Sequence, residues 1–313
     1  MTNLILGTVK NYNYAQIRPF LDSLSAVNYA GEVVLLVSDI SRKTASKLLE
    51  RGIKLVYFTD YYPFLSDYNE VLSELGLPAK YDLPLSLCTM RFVMYYLYLS
   101  RLDGKYNRVM LTDVRDVIFQ KDPFAFNDNN QLSVFLEDDK HRIADCPHNS
   151  KWIKQSFEEG VSEQIKNKNI SCNGIIIGPT GSLLDYLKKM MDLIFRVGPP
   201  GIVGQGFHNY LIHTGKLPGA NIFSNESGPV LTLGLMSGYC QNEAGELLNQ
   251  AGLVPNIIHQ YDRHPKLARR YYSRTAIWRG KRNDFKHWIL RPLKKFPHLY
   301  YRLKIIYHHL WKK

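Results

Sequence analysis

Apolar positions change their spacing repeatedly along the chain, and in the first half two patterns alternate. "NLILGTV" at 3–9 is an apolar run of strand length, and beyond it Ile17, Phe20, Leu21 and Leu24 recur at the spacing of one helix face. "EVVLLVS" at 32–38 predicts a second strand. Ser41 offers an N-cap for a helix through Ala45, Leu48 and Leu49 that stops at Gly52, and "IKLVYF" at 53–58 predicts a third strand. A long helix is expected over about 86–101, followed by the turn-like "DGKYN" and a buried strand at 109–111. Strands separated by helices predict βαβ units and an α/β fold with a mostly parallel sheet, which takes ligands at the carboxyl edge of its strands. The second half is less regular. "QLSVFLE" (131–137) and "SCNGIIIG" (171–178) read as strands, and "SLLDYLKKMMDLIFRV" between Gly181 and Gly198 reads as an amphipathic helix. "GPPGIVGQGFHNYLIHTG" begins as a loop and becomes a helix, and "NIIHQYD" is a last short strand that delivers His259.

The strand at 109–111 runs straight into two aspartates, in "VMLTDVRDVIF". A carboxylate at a strand exit loses hydration and repels its neighbour, so Asp113 and Asp116 both stay ionised only beside a cation. Either Arg115 and the local backbone supply that compensation, or a bound metal does. Two carboxylates with the imidazole of His259 suit a divalent ion, and the nitrogen ligand favours Mn²⁺ over Mg²⁺. Such an ion bridges diphosphate oxygens and neutralises charge on a departing nucleoside diphosphate. Glu137, which closes the "SVFLE" strand, is the best-placed further carboxylate for the cleft.

In this order of features the chain resembles nucleotide-sugar glycosyltransferases of the GT-A (Rossmann-like) fold, over about residues 3–267. "RVMLTDVRDVIFQKDPF" is similar to the strand that carries their Asp-x-Asp metal motif, with two residues instead of one between the aspartates, a variant associated with a bacterial and plant subgroup. The resemblance implies a role for each matching position. Arg91, 22 residues before Asp113, corresponds to a donor-contacting arginine of the glycogenin-like branch. Asn173 in "ISCNGIIIG" corresponds to an asparagine that faces the donor sugar. Gln205 in "GQGFHNYLI" falls in an Asp-Gln-x-x-x-Asn loop and helix, with Gly204 where aspartate is usual. "HQYDRHPKL" resembles the terminal motif in which a histidine binds metal and a lysine binds diphosphate, roles matched by His259 and Lys266. "GTVKNYNYAQI" resembles the first βα turn that holds the nucleotide, with Thr8 and the backbone at base or ribose and Tyr12 or Tyr14 stacking. The family implies a nucleotide-sugar donor, a saccharide or lipid-linked acceptor, and Mn²⁺ or Mg²⁺ as cofactor.

Composition changes this picture at the C-terminal end. The chain has 313 residues, enough for one large α/β domain or two small ones, and its four cysteines are scattered without metal-type pairing. Met1 leads at once into a strand and no run approaches the roughly 18 apolar residues of a membrane span, so a cytoplasmic, reduced protein is expected. The net charge of +12 is uneven: residues 263–313 hold 16 Lys/Arg and one acid, Asp284, leaving the rest slightly acidic. Two short helices broken at Pro292 and Pro297 are expected there. Leu299, Leu303, Ile306 and Leu310 form a stripe flanked by Tyr300, Tyr307 and Trp311. Cations with interfacial aromatics suit peripheral contact with an anionic membrane surface. The expected organisation is a glycosyltransferase domain at 1–267, with a nucleotide-binding half to about 130 and an acceptor half to 267, then a basic helical extension at 268–313. A nucleic-acid-binding protein is disfavoured, because the body is acidic and the basic residues interleave with aromatics. A catalytically impaired relative retained as a scaffold is the alternative that Gly204 raises.

Overall fold

Nine residues, Thr2–Lys10, form β1, and its neighbours follow the expected alternation: α1 Tyr14–Ala26, β2 Glu32–Ser38, α2 Arg42–Glu50 and β3 Lys54–Tyr57. The computed structural model describes residues 2–58, 73, 86–102, 104–197 and 204–272. The expected C-terminal helices, with their apolar stripe, lie outside the described residues. Ser41 caps α2 as anticipated, its side chain accepting from the Thr44 amide at 3.2 Å. α3 (Leu87–Leu99) leads into β4 (Tyr106–Thr112), β5 (Val117–Phe119) and β6 (Ser133–Leu136). Two helices follow, α4 (Pro147–Ser156) and α5 (Glu159–Ile165), and then β7 (Ser171–Pro179), α6 (Thr180–Arg196) and α7 (Gly204–His213). The chain closes with short strands β8 (Asn221–Phe223), β9 (Val230–Thr232), β10 (Cys240–Gln241), β11 (Leu247–Leu248) and β12 (Ile257–His259), a 3₁₀ turn at Tyr261–Arg263, and α8 (Pro265–Tyr271).

Seven strands make the central sheet in the order β3-β2-β1-β4-β7-β6-β8. Among the described residues it is mostly parallel, with β7 alone running against its neighbours β4 and β6. Helices cover both faces, and β1 shows why its run is continuously apolar. Leu4 and Leu6 enter a core with residues of α3, α6 and α7, whereas Ile5 and Val9 point to the other face and meet Ile17, Phe20 and Leu24 of α1. A second sheet, β5-β12-β9, stands beside the first, with β5 antiparallel and β9 parallel to β12. Only four residues, 113–116, connect β4 of the large sheet to β5 of the small one. Among the described residues, no helix is long and apolar enough to cross a membrane.

Candidate active site

The four-residue link between the sheets is the "DVRD" stretch, and its backbone is fixed at three points. The Asp113 amide donates to the Gly174 carbonyl of β7 at 2.7 Å, and the Asp116 carbonyl accepts from the Gln260 amide at 2.7 Å. Between them, the Arg115 carbonyl accepts from the hydroxyls of Tyr261, at 3.1 Å, and Tyr272. Val114 fills the space beside Gly7 of β1, where an added Cβ would come within 2.5 Å of its methyl. The two aspartates are therefore held by backbone bonds, independently of their side chains.

Asp113, Asp116 and His259 converge, with one potential ligand atom from each lying within 4.8 Å of the others. Register explains half of this: Val117 pairs with His259 across β5 and β12, so Asp116 precedes the residue directly opposite the imidazole. His259 is 1% exposed, and among the described residues neither of its ring nitrogens has a hydrogen-bond partner. Its Nε2 stands 3.6 Å from Asp113 Oδ2, beyond hydrogen-bond range. A buried imidazole with two idle nitrogens is costly unless something else occupies them. Gly174 leaves the room for this approach, since a Cβ there would lie 2.4 Å from the His259 ring and 2.7 Å from Asp113 Oδ2. Two oxygen donors and one nitrogen donor around a small cradle fit a divalent cation.

Charge at the cluster is only partly balanced by protein groups. Arg115, one of the two compensations left open by the sequence, turns away: it pairs with Asp262 at 3.0 Å and lies over the Tyr12 ring, 5.8 Å from its centroid. Arg91 takes its place. Buried on α3, it donates to Asp113 Oδ1 through Nη1, and through Nη2 to the Asn173 backbone carbonyl at 3.0 Å and side-chain oxygen at 2.8 Å. Burial disfavours ionisation of Asp113, but the Arg91 and His259 charges outweigh it and hold the carboxyl down at about 2. At Asp116 burial, joined by the charges of Asp113 and Asp262, outweighs the opposing charges of His259 and Arg115 and raises the pKa. Burial also disfavours the His259 imidazolium, yet its surroundings, the Cys172 thiol when ionised and the two aspartates, raise its pKa well above the ordinary value. Without a metal, a proton on His259 is the cation that this pocket collects.

The remaining expected residues divide by position. Asn173, held by Arg91, borders the cluster, since its neighbour Gly174 faces Asp113 and His259. Glu137 is buried at the end of β6 and accepts from Gln205 Nε2 at 3.0 Å. Burial raises its pKa, opposed by His259 and the Gln205 hydrogen bond. Thr8 follows the Gly7–Thr112 pair on β1, beside the strand end that carries Asp113. Lys266 is exposed on α8, just beyond the 3₁₀ turn that follows β12. Gly204 is not simply a missing carboxylate. An added Cβ would lie 3.0 Å from Phe92, 3.1 Å from the Cys88 carbonyl and 3.3 Å from Asn173 Nδ2, so a larger residue there needs its neighbours to give by a few tenths of an ångström.

Sequence reasoning missed Gly174, Asn149 and the pair Asn209 and His208. Asn209 bridges Ser171 N, Ser171 O and Gln205 O at 2.8–2.9 Å, which pins α7 to β7. His208 lies between Ser171 Oγ (3.0 Å) and the Tyr186 hydroxyl (2.9 Å), and burial, helped by His213 and Arg91, lowers its pKa to about 3. It is a neutral structural histidine. The Asp-Gln-x-x-x-Asn resemblance puts its asparagine at Asn209 without giving it this bridging role, and the "HN" spacing within an otherwise apolar helix pattern was the further hint of inward polar groups.

No protein-family model matches the chain, and neither does any curated protein. Among solved structures, the chain is similar to the galactosyltransferase LgtC in complex with donor and acceptor sugar analogues. They share 14% identity and a TM-score of 0.47, over 89% of this chain and 99% of that one. It is also similar to an active-site mutant of LgtC, at 13% identity and a TM-score of 0.46, over 82% of this chain and 86% of that one.

Proposed function

We propose that the protein is a metal-dependent glycosyltransferase of GT-A type. It moves a sugar from a nucleotide-sugar donor to a saccharide or lipid-linked acceptor, in the synthesis of cell-surface polysaccharide or glycolipid. One observation carries the reading: Asp113, Asp116 and the buried imidazole of His259, which has no hydrogen-bond partner among the described residues, converge beside the carboxyl ends of β4 and β12, where an α/β sheet binds its ligands. Mn²⁺ or Mg²⁺ bound there supplies positive charge that stabilises the departing diphosphate.

The chain's own residues supply position and dipoles. Arg91 holds Asp113 and Asn173 in one hydrogen-bonded unit, so a donor contacting that unit meets groups already oriented. Thr8 and Tyr12 belong to the nucleotide side, Asn173, Gln205 and Glu137 to the sugar side, and Lys266 to the diphosphate. Asp113 and Asp116 repel one another, and binding of a cation relieves that repulsion. The basic, aromatic segment 268–313 is assigned to an anionic membrane surface on the cytoplasmic side, on the strength of its sequence pattern alone.

The test is a panel of nucleotide sugars screened by thermal shift with and without Mn²⁺. A ligand that binds only the native state stabilises it by about 2.7 kcal/mol at one hundred times its Kd. One donor should give a shift that needs the metal, and Asp116→Ala should lose that shift while melting normally alone, because it removes a ligand and no core contact. A panel in which no nucleotide sugar gives a metal-dependent shift would refute the assignment.

A further inference from the structure

Gln205 is the second residue of α7, and both N–H groups of its side-chain amide are engaged. Nε2 donates to Glu137 Oε1 at 3.0 Å and to Asn149 Oδ1 at 3.3 Å. An amide nitrogen has two protons to give, so its donor capacity is spent. The carbonyl oxygen has much less. Its described contact is with the Cys172 thiol at 3.9 Å, a weak donor at long range, on the β7 edge next to Asn173.

The two partners are themselves immobilised. Glu137 is 5% exposed and Asn149 is 4% exposed. Asn149 gives its own amide protons towards Cys146 Sγ at 3.2 Å, which turns its carbonyl oxygen to Gln205. An ionised carboxylate only accepts, so a flipped Gln205 would set two oxygens against each other in a buried site. From this network we infer that Glu137 and Asn149 are positioning residues, which lock the Gln205 amide so that its carbonyl oxygen, not its NH₂, faces the β7 edge at Cys172 and Asn173, the side the proposed function gives to the donor sugar. The inference rests on the glycosyltransferase reading for its consequence, but the lock is a property of the free protein. It also gives Glu137 a duty other than direct chemistry: its carboxylate acts through the amide that it orients.

A moved-charge experiment separates these duties. Glu137→Gln keeps the shape but adds an NH₂ group, so either Gln205 orientation can be satisfied. Adding Asn149→Asp restores an acceptor-only group on the other side of the same amide. Glu137→Gln should lower donor kcat/KM on the order of 100-fold, as expected for a misplaced contact, with Mn²⁺ affinity unchanged. Glu137→Gln/Asn149→Asp should recover most of that loss. The side-chain amide protons of Gln205, assigned in ¹⁵N-glutamine-labelled protein by comparison with Gln205→Glu, give a readout without substrate. They should exchange slowly in the wild type, rapidly in Glu137→Gln, and slowly again in the double variant. Unchanged exchange in Glu137→Gln would overturn the lock, and so would a double variant that recovers neither exchange protection nor turnover. The expected exchange pattern in a protein that transfers no sugar would support the lock while the glycosyltransferase reading fails.

Discussion

Replacing Gly174 by alanine adds one methyl group at the point where the two sheets bring their ligands together. The new Cβ would lie 2.4 Å from His259 Cε1, 2.7 Å from His259 Nε2 and 2.7 Å from Asp113 Oδ2, whereas ordinary contact begins near 3.4 Å. The imidazole must then retreat by about 1 Å, against a tolerance of about 0.2 Å in metal–ligand distances. Gly174 is not among the positive-φ glycines, so alanine fits its backbone and the fold should survive. Overpacking of this kind costs about 1–3 kcal/mol of stability. Disturbing the groups that merely orient ligands costs 10–100-fold in metal affinity, so displacing a ligand should cost at least about 100-fold, or about 2.7 kcal/mol. Calorimetric titration of Mn²⁺ into the variant measures this directly. Gly181→Ala, whose Cβ would have nothing within 4 Å, is the control and should bind as the wild type does. A Gly174→Ala protein that melts normally and binds Mn²⁺ with wild-type affinity would show that His259 and Asp113 do not share a metal.

Three further outcomes are expected. His259 has a raised pKa in the folded protein, so its contribution to metal-free stability is full below about 6.5, the unfolded value, and is lost as pH rises through the folded value. Asp113, depressed to about 2, contributes above its unfolded value and loses that contribution as pH falls towards 2. Metal binding must displace the His259 proton, so Mn²⁺ affinity should climb with pH while metal-free stability declines, and melting curves at several pH values with and without Mn²⁺ check both. His208→Leu leaves the Tyr186 hydroxyl without its buried partner, while Ser171 Oγ keeps its bond to the Phe135 carbonyl at 3.0 Å, and should cost about 1–3 kcal/mol in urea unfolding, with Mn²⁺ affinity unchanged. Removing residues 284–313 should release the protein from anionic vesicles without slowing turnover of a soluble acceptor; a drop in melting temperature instead would make the segment part of the fold.

The readable parts of the sequence were those where one local rule decides. β1, β2 and β3 are apolar runs bounded by turn residues, and α6 carries its apolar stripe between two glycines. Asp113, Asp116 and His259 were legible because each adjoins or closes an apolar strand, so a charged group there stands out. The strands β5, β8 and β9 are three residues each, too short for a period to show. α4 and α5 bury only two residues apiece, among them Asn149 and Ser162, and so carry little apolar pattern. The partner of Arg115 proved to be Asp262, 147 residues away, where its place between Asp113 and Asp116 suggested one of those two. Gly174 and Asn149 act through close approach and amide orientation, which only the assembled strands and helices reveal.

The link at 113–116 gives the protein a seam. Asp113 is anchored to the large sheet through Gly174, whereas Asp116 and His259 belong to the paired strands of the small one. A cation held by all three would therefore fasten two sheets that are otherwise joined by chain connections, among them the four-residue strap and the β8–β9 connection at 224–229, and by side-chain packing. Its binding energy would be spent on closing that seam as well as on holding a donor. Amide exchange should slow on both sides together when Mn²⁺ is added, at β7 around Gly174 and across β5 and β12, while the far edge at β2 and β3 keeps its metal-free rate. A centre of this kind works as a rivet, and losing it loosens the joint before it loosens either plate.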